Sequence, residues 1–271
     1  SSVDMLREWM KSNVKDGNLT IDQSLKLEKT EVNENMKIMD DKLMAELDKK
    51  AEEMKKAVLE SKSEYEVKDG RKVYYFAADG DDSNDGLSPE KPKKSLSELG
   101  KIIFVKGDVV LFKRGDTFRG KFTAKSGVTY SAYGEGDKPV INASARNYAD
   151  PMDWEKTEYE NVWKYYGKLE NVGIILFDYS GEIGNYEETV GTLRIAGAGG
   201  FTGAKDLDGD LQFWSDLETN ELFLYSEENP GKRFKSIEIG TSGNAIGGGG
   251  STDVIVDNLH IMLTGSHGVG F

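Results

Sequence analysis

Residues 74–99 read YYFAADGDDSNDGLSPEKPKKSLSEL, and their composition changes twice along this short stretch. The run VYYFA at residues 73–77 is rich in aromatic side chains and predicts a β-strand. Asp, Asn, Gly, Ser and Pro then crowd residues 78–92, a composition typical of turns. Ser95 and Glu98 have the spacing of a capping box, which predicts the start of a short helix. A strand, a dense turn and a short helix are therefore expected in that order.

Short apolar runs separated by turn residues recur after this stretch. Two successive runs begin 19 residues apart, and a later pair begins 17 residues apart. Spacings near twenty, with Gly, Asp and Asn between the runs, predict a solenoid in which each coil of chain adds one rung. The runs are VVLF (109–112), VTYSA (128–132), VIN (140–142), IEI (237–239) and VIVDNLHI (254–261).

The chain before residue 66 has a different character from the rest. It holds one of the 31 glycines and six of the eight methionines. Apolar residues recur there at spacings of three and four through residues 31–60, which predicts one long helix, and residues 20–23 are expected to open a shorter one. The apolar stripe is expected to pack on its own protein, with a coiled coil or a partner-binding helix as the alternative. The stripe consists of Met36, Met39, Leu43, Leu47, Ala51, Met54 and Val58.

Charge and composition exclude several classes of protein. The net charge is −13 and the sequence pI is about 4.8, so no basic surplus exists for nucleic acid or for anionic membrane surfaces. No apolar run reaches the ~18 residues that a membrane span requires, so no membrane insertion is expected. The chain has no Cys. A well hydrogen-bonded scaffold can do without disulfides, so the composition favours an extracellular or cell-surface protein of a bacterium.

Several of these segments resemble the N-terminal part of bacterial right-handed parallel β-helix proteins, the pectate-lyase-like superfamily. The resemblance rests on the turn from Gly80 to Pro92 with its following helix, on GDVVLFKRGDTF from Gly107 to Phe118, and on SGVTYSAYGEGDKPVINAS and VIVDNLHIMLTGSHGVG. It covers about residues 70–145 and 235–271. The superfamily includes polysaccharide lyases, glycoside hydrolases and epimerases. The resemblance implies a mainly β fold, a right-handed parallel β-helix, and a carbohydrate-active protein.

Pattern and resemblance together predict four segments. Residues 1–66 form a charged helical segment, and residues 67–145 form the N-terminal cap and first coils of the β-helix. Residues 146–235 interrupt the coil spacing and are expected to form an inserted subdomain rich in β-structure and aromatics. Within it, the alternation of residues 211–227 predicts a β-hairpin. Residues 236–271 are expected to form further coils of an incomplete solenoid.

The resemblance predicts a function without locating an active site. The chain is expected to be the N-terminal part of an extracellular bacterial protein acting on polysaccharide, of the glycoside hydrolase or polysaccharide lyase type. Catalytic residues of such proteins lie on central coils, so they are expected beyond Phe271. An open strand edge at Phe271 would be covered by more chain or by a partner chain. Two alternatives stay open: a non-catalytic carbohydrate-binding or surface adhesion module, and a structural spacer with a partner-binding helix.

The turn at residues 79–85 carries four carboxylates close together. Asp81, Ser83 and Asp85 stand at the spacing of the first ligands of an EF-hand loop, whose oxygens suit Ca²⁺. The twelfth position, which in such loops supplies a bidentate Glu, is Pro92. Two hypotheses follow: the carboxylates form the turn, or they bind Ca²⁺. The candidate ligands are Asp79, Asp81, Asp82 and Asp85.

The two histidines and one aspartate are candidates for a sugar-binding groove, with hydrogen bonding within the scaffold as the alternative. Strand alternation places His260 on the same face as Val256, away from Asp257, so no catalytic dyad is expected. His267 stands between glycines at a predicted corner, where its side chain would be exposed.

Aromatic residues gather in the predicted insertion, and sugars stack on aromatic faces. Trp154 lies among acidic residues and is the candidate for a surface position, whereas Trp163 and Trp214 lie in apolar runs and are expected in the core. Glycoside hydrolysis needs two carboxyl groups at a defined separation. The sequence offers 48 acidic residues, so it assigns no catalytic pair.

Overall fold

The computed structural model describes residues 14–15, 18–19, 25–179 and 190–271, with side chains from residue 41 onward in these ranges. It divides the chain into two units, Ser1–Glu60 and Ser61–Phe271. The shorter helix predicted to open at residues 20–23 lies outside the described residues.

The first unit is dominated by one helix. Two short antiparallel strands, β1 (Val14–Lys15) and β2 (Asn18–Leu19), precede helix α1 (Leu25–Glu60). The long helix predicted over residues 31–60 is thus confirmed. The large apolar side chains of its described part are exposed, among them those of Leu43 and Met54. None of the described helices combines the length and the apolar character that crossing a bilayer requires.

The second unit is mainly β, as predicted. The helical elements among its described residues are short: α2 (Pro230–Arg233) and four 3₁₀ helices at Leu96–Lys101, Pro151–Asp153, Ala198–Gly200 and Ala204–Asp206. The strands are β3 (Val73–Phe76), β4 (Val109–Lys113), β5 (Thr117–Arg119), β6 (Phe122–Thr123), β7 (Thr129–Tyr133), β8 (Val140–Asn142), β9 (Trp154–Lys156), β10 (Val162–Tyr165), β11 (Val172–Phe177), β12 (Thr192–Leu193), β13 (Gln212–Asp216), β14 (Glu221–Tyr225), β15 (Ile237–Thr241), β16 (Ile246–Gly247), β17 (Ile255–Val256), β18 (His260–Met262) and β19 (Val269–Gly270).

Three small sheets of this unit are purely parallel. Their strand orders are β3-β4-β7-β17, β5-β8-β18 and β6-β16-β19. The predicted runs VVLF and VTYSA lie side by side in the first sheet, with Val109 opposite Thr129. The chain visits the sheets in one order: β4, β5 and β6, then β7, β8 and β16, then β17, β18 and β19. Residues 143–245 separate β8 from β16.

One apolar core joins the three parallel sheets. Phe112 packs edge-on against Phe118 at 5.1 Å between ring centroids, and Phe122 packs against Tyr130 at the same distance. These rings come from β4, β5, β6 and β7, and each is buried. The Tyr130 hydroxyl accepts the Lys125 N–H at 2.9 Å, and burial raises the pKa of Tyr130 to about 12. The hydroxyl is therefore a neutral member of the core.

Between β8 and β16 the chain builds a five-stranded sheet, in the order β12-β13-β14-β10-β9. Only β12 and β13 pair in parallel; the other neighbours are antiparallel. The predicted hairpin at residues 211–227 is confirmed as β13 and β14, with Phe213 opposite Leu224. Asn220 closes the turn at φ 57°, a left-handed conformation that Asn tolerates well.

One predicted solenoid run belongs to a different sheet. IEI at 237–239 lies in β15, which pairs antiparallel with β11 and places Ile239 opposite Ile175. Its assignment to a coil was wrong because β11 offers a matching apolar strand. Ile175, Phe177, Ile237 and Ile239 are all buried in the core beneath the five-stranded sheet.

The predicted capping box at Ser95 is also absent. Ser95 is the N-cap of the 3₁₀ helix, but its side chain makes no capping hydrogen bond. Asp82 accepts the Ser95 N–H at 2.8 Å, which removes the donor that Glu98 would need. Glu98 instead pairs with Lys93 at 3.3 Å.

A charge pair connects the parallel sheets to β15. The two terminal nitrogens of Arg119, on β5, donate to the two carboxylate oxygens of Glu238, on β15, at 2.7 Å each. Glu238 is 6% exposed. Asn142 on β8 donates to the same carboxylate at 3.4 Å. This bidentate pair joins the two parts of the second unit.

Candidate functional site

The turn that is a candidate for Ca²⁺ binding is held together by its own carboxylates. Asp81 accepts the N–H and the hydroxyl of Ser83 at 2.8 and 2.7 Å. Asp82 accepts the N–H groups of Lys94 and Ser95 at 2.9 and 2.8 Å. The bonds from Ser83 hold the pKa of Asp81 below its usual value. Both carboxylates therefore act as anionic acceptors for the local backbone.

The other two candidate ligands have separate partners. Asp79 pairs with Lys113 at 3.2 Å, and Asp85 accepts the Leu87 N–H at 3.0 Å. Within the part of the chain that the structure describes, no group of three or more acidic or histidine side chains is arranged to hold a metal ion. The geometry favours the turn-forming hypothesis over the Ca²⁺ hypothesis.

We expect millimolar Ca²⁺ to leave the melting temperature of the protein unchanged. We expect Asp82→Ala to lower the free energy of unfolding by about 1 kcal/mol, because two backbone N–H groups lose their acceptor. Thermal melts followed by circular dichroism, in EDTA and in CaCl₂, test both expectations. A rise in melting temperature with Ca²⁺ that disappears in Asp82→Ala would contradict them.

Asp257 lies on the outer side of the first parallel sheet, where its side chain accepts two hydrogen bonds. Its carboxylate accepts the Ser131 hydroxyl at 2.8 Å and the Glu64 N–H at 3.3 Å. The segment containing Glu64 is fixed further by Ser63, whose hydroxyl accepts the Ala132 N–H at 3.3 Å. The structure thus gives Asp257 a positioning role for the chain that enters this unit.

His260 does not share the face of Val256, so that expectation was wrong. Val256 and Leu259 both pack against the core, and between them Asn258 adopts a left-handed conformation at φ 56°. This residue breaks the strand and restarts the alternation, so His260 points away from the core. Burial, and then the charge of Lys138, lower the pKa of His260.

His267 is exposed, as its place between glycines predicts. Its N–H donates to the Asn244 side chain at 3.3 Å, and it borders an open cleft of about 660 Å³ together with Gly248 and Phe271. The three residues belong to different segments: Asp257 follows β17, His260 begins β18, and His267 precedes β19.

The expectation of a surface position for Trp154 was wrong. Trp154 is 3% exposed, and its indole N–H donates to the Tyr148 carbonyl at 2.9 Å. Its ring packs edge-on against Tyr165 at 6.0 Å. The acidic neighbours in sequence misled the prediction: Asp153 is itself buried and pairs with Arg146, and alternation turns Glu155 to the opposite face of β9. Trp154 therefore offers no face to a ligand.

The outer face of the five-stranded sheet carries the most complete candidate site. Glu155, Lys164, Phe223 and Trp214 stand directly opposite one another on β9, β10, β14 and β13. We call these four residues the cross-strand row. Neighbouring strands lie ~4.8 Å apart, so the row extends over about 14 Å. It combines two charged side chains with two aromatic rings.

The aromatic end of the row is a stacked pair of rings, which we call the platform. Trp214 and Phe223 stack at 5.5 Å between centroids with 21° between their planes. Phe201 supports the indole from the side at 6.2 Å. Both platform residues are half-buried and pack against the apolar cluster of Val162, Phe201, Ala204 and Leu207. Trp214 was expected in the core; the structure places it at the floor of a cleft.

That cleft has a volume of about 520 Å³ and contains the entire cross-strand row. The loop of residues 202–205 forms one wall, and residues 155–159 form another. Trp214 also borders a second cleft of about 600 Å³ on the far side of Thr202. Clefts of this size suit small ligands.

The charged end of the row is a closed network. The Lys164 amine lies 3.8 Å from carboxylate oxygens of both Glu155 and Glu221. Glu221 also accepts a hydrogen bond from Lys168 at 2.9 Å, and this bond lowers the pKa of Glu221. Glu221 thus stays ionised at neutral pH, and Lys164 lies between it and Glu155.

Sequence reasoning missed this row for a specific reason. Alternation within the hairpin already places Trp214 and Phe223 on one face, but alternation does not tell which face is outward. The stronger signal is on β10, where Trp163 and Lys164 alternate. Because neighbouring strands share faces, the position of Lys164 marks the solvent side.

Comparison with known proteins finds relatives among glycoside hydrolases. No family model matches the chain. A lacto-N-biosidase from Bifidobacterium longum subsp. longum is 28% identical over 205 residues, which cover 71% of this chain and 12% of that protein. The chain therefore spans about an eighth of the length of the curated relative it matches.

Solved structures show a likeness of fold. A structure of XylC in complex with xylose has a TM-score of 0.50 at 13% identity, over 72% of this chain and 36% of that one. A GH136 lacto-N-biosidase from Eubacterium ramulus has a TM-score of 0.32 at 19% identity, over 70% of this chain and 20% of that one. The first of these supports a shared fold for the matched part.

Proposed function

We propose that the chain is part of an extracellular bacterial glycoside-hydrolase-like protein and that its cross-strand row binds carbohydrate. The lacto-N-biosidase that it resembles supports the general class. The cross-strand row supports the specific role, because it places an aromatic platform beside charged hydrogen-bonding groups in an open cleft. Sugars present apolar C–H patches to aromatic faces and hydroxyl groups to charged acceptors and donors.

We propose that the three parallel sheets are the walls of a right-handed parallel β-helix. Support comes from the constant order in which the chain visits the sheets and from the single core that they share. In this proposal the five-stranded sheet is an insertion in the second coil. It would present the cleft to one side of the scaffold.

We propose that the described part of the chain binds sugar without hydrolysing it, and that catalytic groups lie in other parts of the protein. A general acid for glycoside hydrolysis needs a raised pKa. The hydrogen bond from Lys168 instead lowers the pKa of Glu221, which lines the cleft. The same direction holds for Asp210, whose pKa is lowered by Arg233.

A binding and turnover assay on the purified chain tests this proposal. We expect isothermal titration to detect binding of a short neutral oligosaccharide, such as a xylo-oligosaccharide or a chito-oligosaccharide. We expect no release of reducing sugars from the same compounds. Release of sugars would contradict the non-catalytic role, and a lack of binding across a panel of glycans would contradict the proposal as a whole.

The first unit favours a second candidate function, a helix that binds a partner chain. Leu43, Leu47 and Met54 form part of the predicted stripe, and all three are about half-exposed or more. Apolar stripes of this kind, rich in Met, suit adaptable partner surfaces. Sedimentation of the full chain and of a chain lacking residues 1–60 shows whether or not the helix binds a partner chain. A partner-binding helix predicts self-association or capture that the shorter chain loses.

A further inference from the structure

We propose that the two clefts that meet at Trp214 bind one amphiphilic ligand, a glycoside with an aliphatic aglycone. We call the cleft of about 520 Å³ that contains the cross-strand row the row cleft, and the cleft of about 600 Å³ beside it the edge cleft. The sugar would lie in the row cleft and the aliphatic chain in the edge cleft. The inference therefore rests on the proposed carbohydrate binding.

The two clefts follow one another across the five-stranded sheet. Trp214 and Thr202 line both of them. The row cleft extends from Trp214 on β13 toward Glu155 on β9. The edge cleft extends in the other direction, to Leu193 on β12, the outermost described strand on that side of the sheet. A ligand that lies across the strands would therefore pass from one cleft into the other.

The edge cleft is lined by exposed apolar side chains. Leu193, Ile195 and Leu217 all border it, and they are 39%, 61% and 66% exposed. Val172 borders it as well and is buried. Grouped apolar side chains at the surface of a soluble protein are typical of binding sites. An aliphatic chain in this cleft would remove both their surface and its own from water.

The charged side chains around the edge cleft are compatible with an uncharged chain. They are Arg194, Asp216 and Glu218. The Arg194 guanidinium donates to the Gln212 side chain at 3.1 Å. The Asp216 carboxylate accepts the N–H groups of Glu218 and Thr219 at 2.8 and 3.3 Å. Glu218 is an exposed turn residue, so its carboxylate can stay in water.

The row cleft is the polar half of the pair. Its charged side chains can donate to or accept from sugar hydroxyl groups. They are Glu155, Glu158, Glu221, Lys156, Lys164 and Lys205. At the boundary between the clefts, the N–H and the hydroxyl of Thr202 both donate to Asp206 at 2.6 Å. The hydrogen-bonding groups of Thr202 are thus used within its own loop, and the junction between sugar and aliphatic chain would lie there.

Isothermal titration of the full chain with three kinds of probe tests the proposal. The probes are the octyl β-glycosides of xylobiose and of chitobiose, the matching methyl β-glycosides, and the sugar-free octyl ether of tetraethylene glycol, all below their critical micelle concentrations. We expect one octyl glycoside to bind at least about ten-fold more tightly than its methyl counterpart, because burial of about two methylene groups already supplies this factor. The same octyl glycoside should bind more tightly than the sugar-free ether.

Two matched double variants locate the aliphatic chain. Ile195→Ser with Leu217→Ser makes the edge cleft polar, so it should reduce the advantage of the octyl glycoside to about three-fold or less. Its affinity for the methyl glycoside should stay unchanged. Ile103→Ser with Val105→Ser replaces two exposed side chains outside both clefts and should leave the advantage intact.

The other results overturn different parts of the proposal. Equal affinities for octyl and methyl glycosides overturn the two-cleft ligand and leave carbohydrate binding intact. A sugar-free ether that binds as tightly as the octyl glycosides shows an apolar site that acts without the sugar, and it overturns the proposal too. Failure of every probe to bind overturns both this proposal and the proposed function. Self-association that the edge-cleft variant abolishes, measured by sedimentation, would place a second copy of the chain in the edge cleft and would likewise overturn the proposal.

Discussion

Replacing Arg119 by Ala is expected to lower the free energy of unfolding of the β-rich unit by about 3 kcal/mol. Glu238 is 6% exposed, and Arg119 donates two hydrogen bonds of 2.7 Å to it. Without the guanidinium, the carboxylate is left in the protein interior with a single donor, Asn142 at 3.4 Å. A buried charge without its partner costs several kcal/mol. We expect a loss of only about 3 kcal/mol, the low end of the range for a broken buried pair, because the Arg119 side chain is 36% exposed.

Urea denaturation of Arg119→Ala, Glu238→Gln and the double variant measures this effect. The double variant should lose less than the sum of the single losses, because neither charge then stands alone. The control is Lys106→Ala, which removes the ion pair between Lys106 and Asp253. Because these two side chains are 76% and 62% exposed, the variant should leave the unfolding midpoint unchanged. An Arg119→Ala variant as stable as the parent chain would show that the pair does not join the two parts.

Replacing Trp214 by Ala is expected to weaken binding of a neutral oligosaccharide by about 2 kcal/mol, roughly thirty-fold. The variant removes the larger ring of the platform and leaves Phe223 without its stacking partner. Because Trp214 is half-buried, some loss of stability is expected as well. Binding is therefore compared only where circular dichroism shows the variant to be folded.

Isothermal titration gives the affinity of Trp214→Ala, with two matched variants beside it. Trp214→Phe keeps an aromatic face and should recover part of the affinity. Tyr166→Ala removes an aromatic ring that is 58% exposed but lies outside the cleft, so it should bind like the parent chain. Equal losses in Trp214→Ala and Tyr166→Ala would show that binding is not localised at the cross-strand row.

Much of the scaffold could be predicted from local pattern. The runs VVLF at 109–112 and VTYSA at 128–132 follow Gly-containing turns, and they pair in parallel as expected. The hairpin at 211–227 shows alternation on both sides of a polar turn, which also proved sufficient. In both cases, neighbours in sequence determine the structure.

The errors arose where a distant partner determines the outcome. Residues 237–239 have the composition of a strand in a solenoid coil, but they pair with the apolar strand β11 in the antiparallel direction. His260 was assigned to the wrong face because one left-handed residue, Asn258, resets the alternation. Such a residue leaves no clear mark in the sequence, since Asn is also common in ordinary turns.

The candidate site was predictable only in part. The gathering of aromatic residues in the insertion was visible, and Trp214 was among them. Whether a Trp on an amphipathic strand faces the core or the solvent depends on what packs over the sheet, and here the loop of residues 202–205 leaves a cleft open. Trp154, expected at the surface, is buried, whereas Trp214, expected in the core, is half-buried against an apolar cluster and lines the cleft.

A crystal structure of the chain with a bound neutral oligosaccharide tests the central claim most directly. The account predicts a sugar ring stacked on Trp214 and Phe223, with hydroxyl groups within hydrogen-bonding distance of Glu155 and Lys164. A saccharide seated instead on the outer side of the parallel sheets, beside Asp257 or His260, would contradict it.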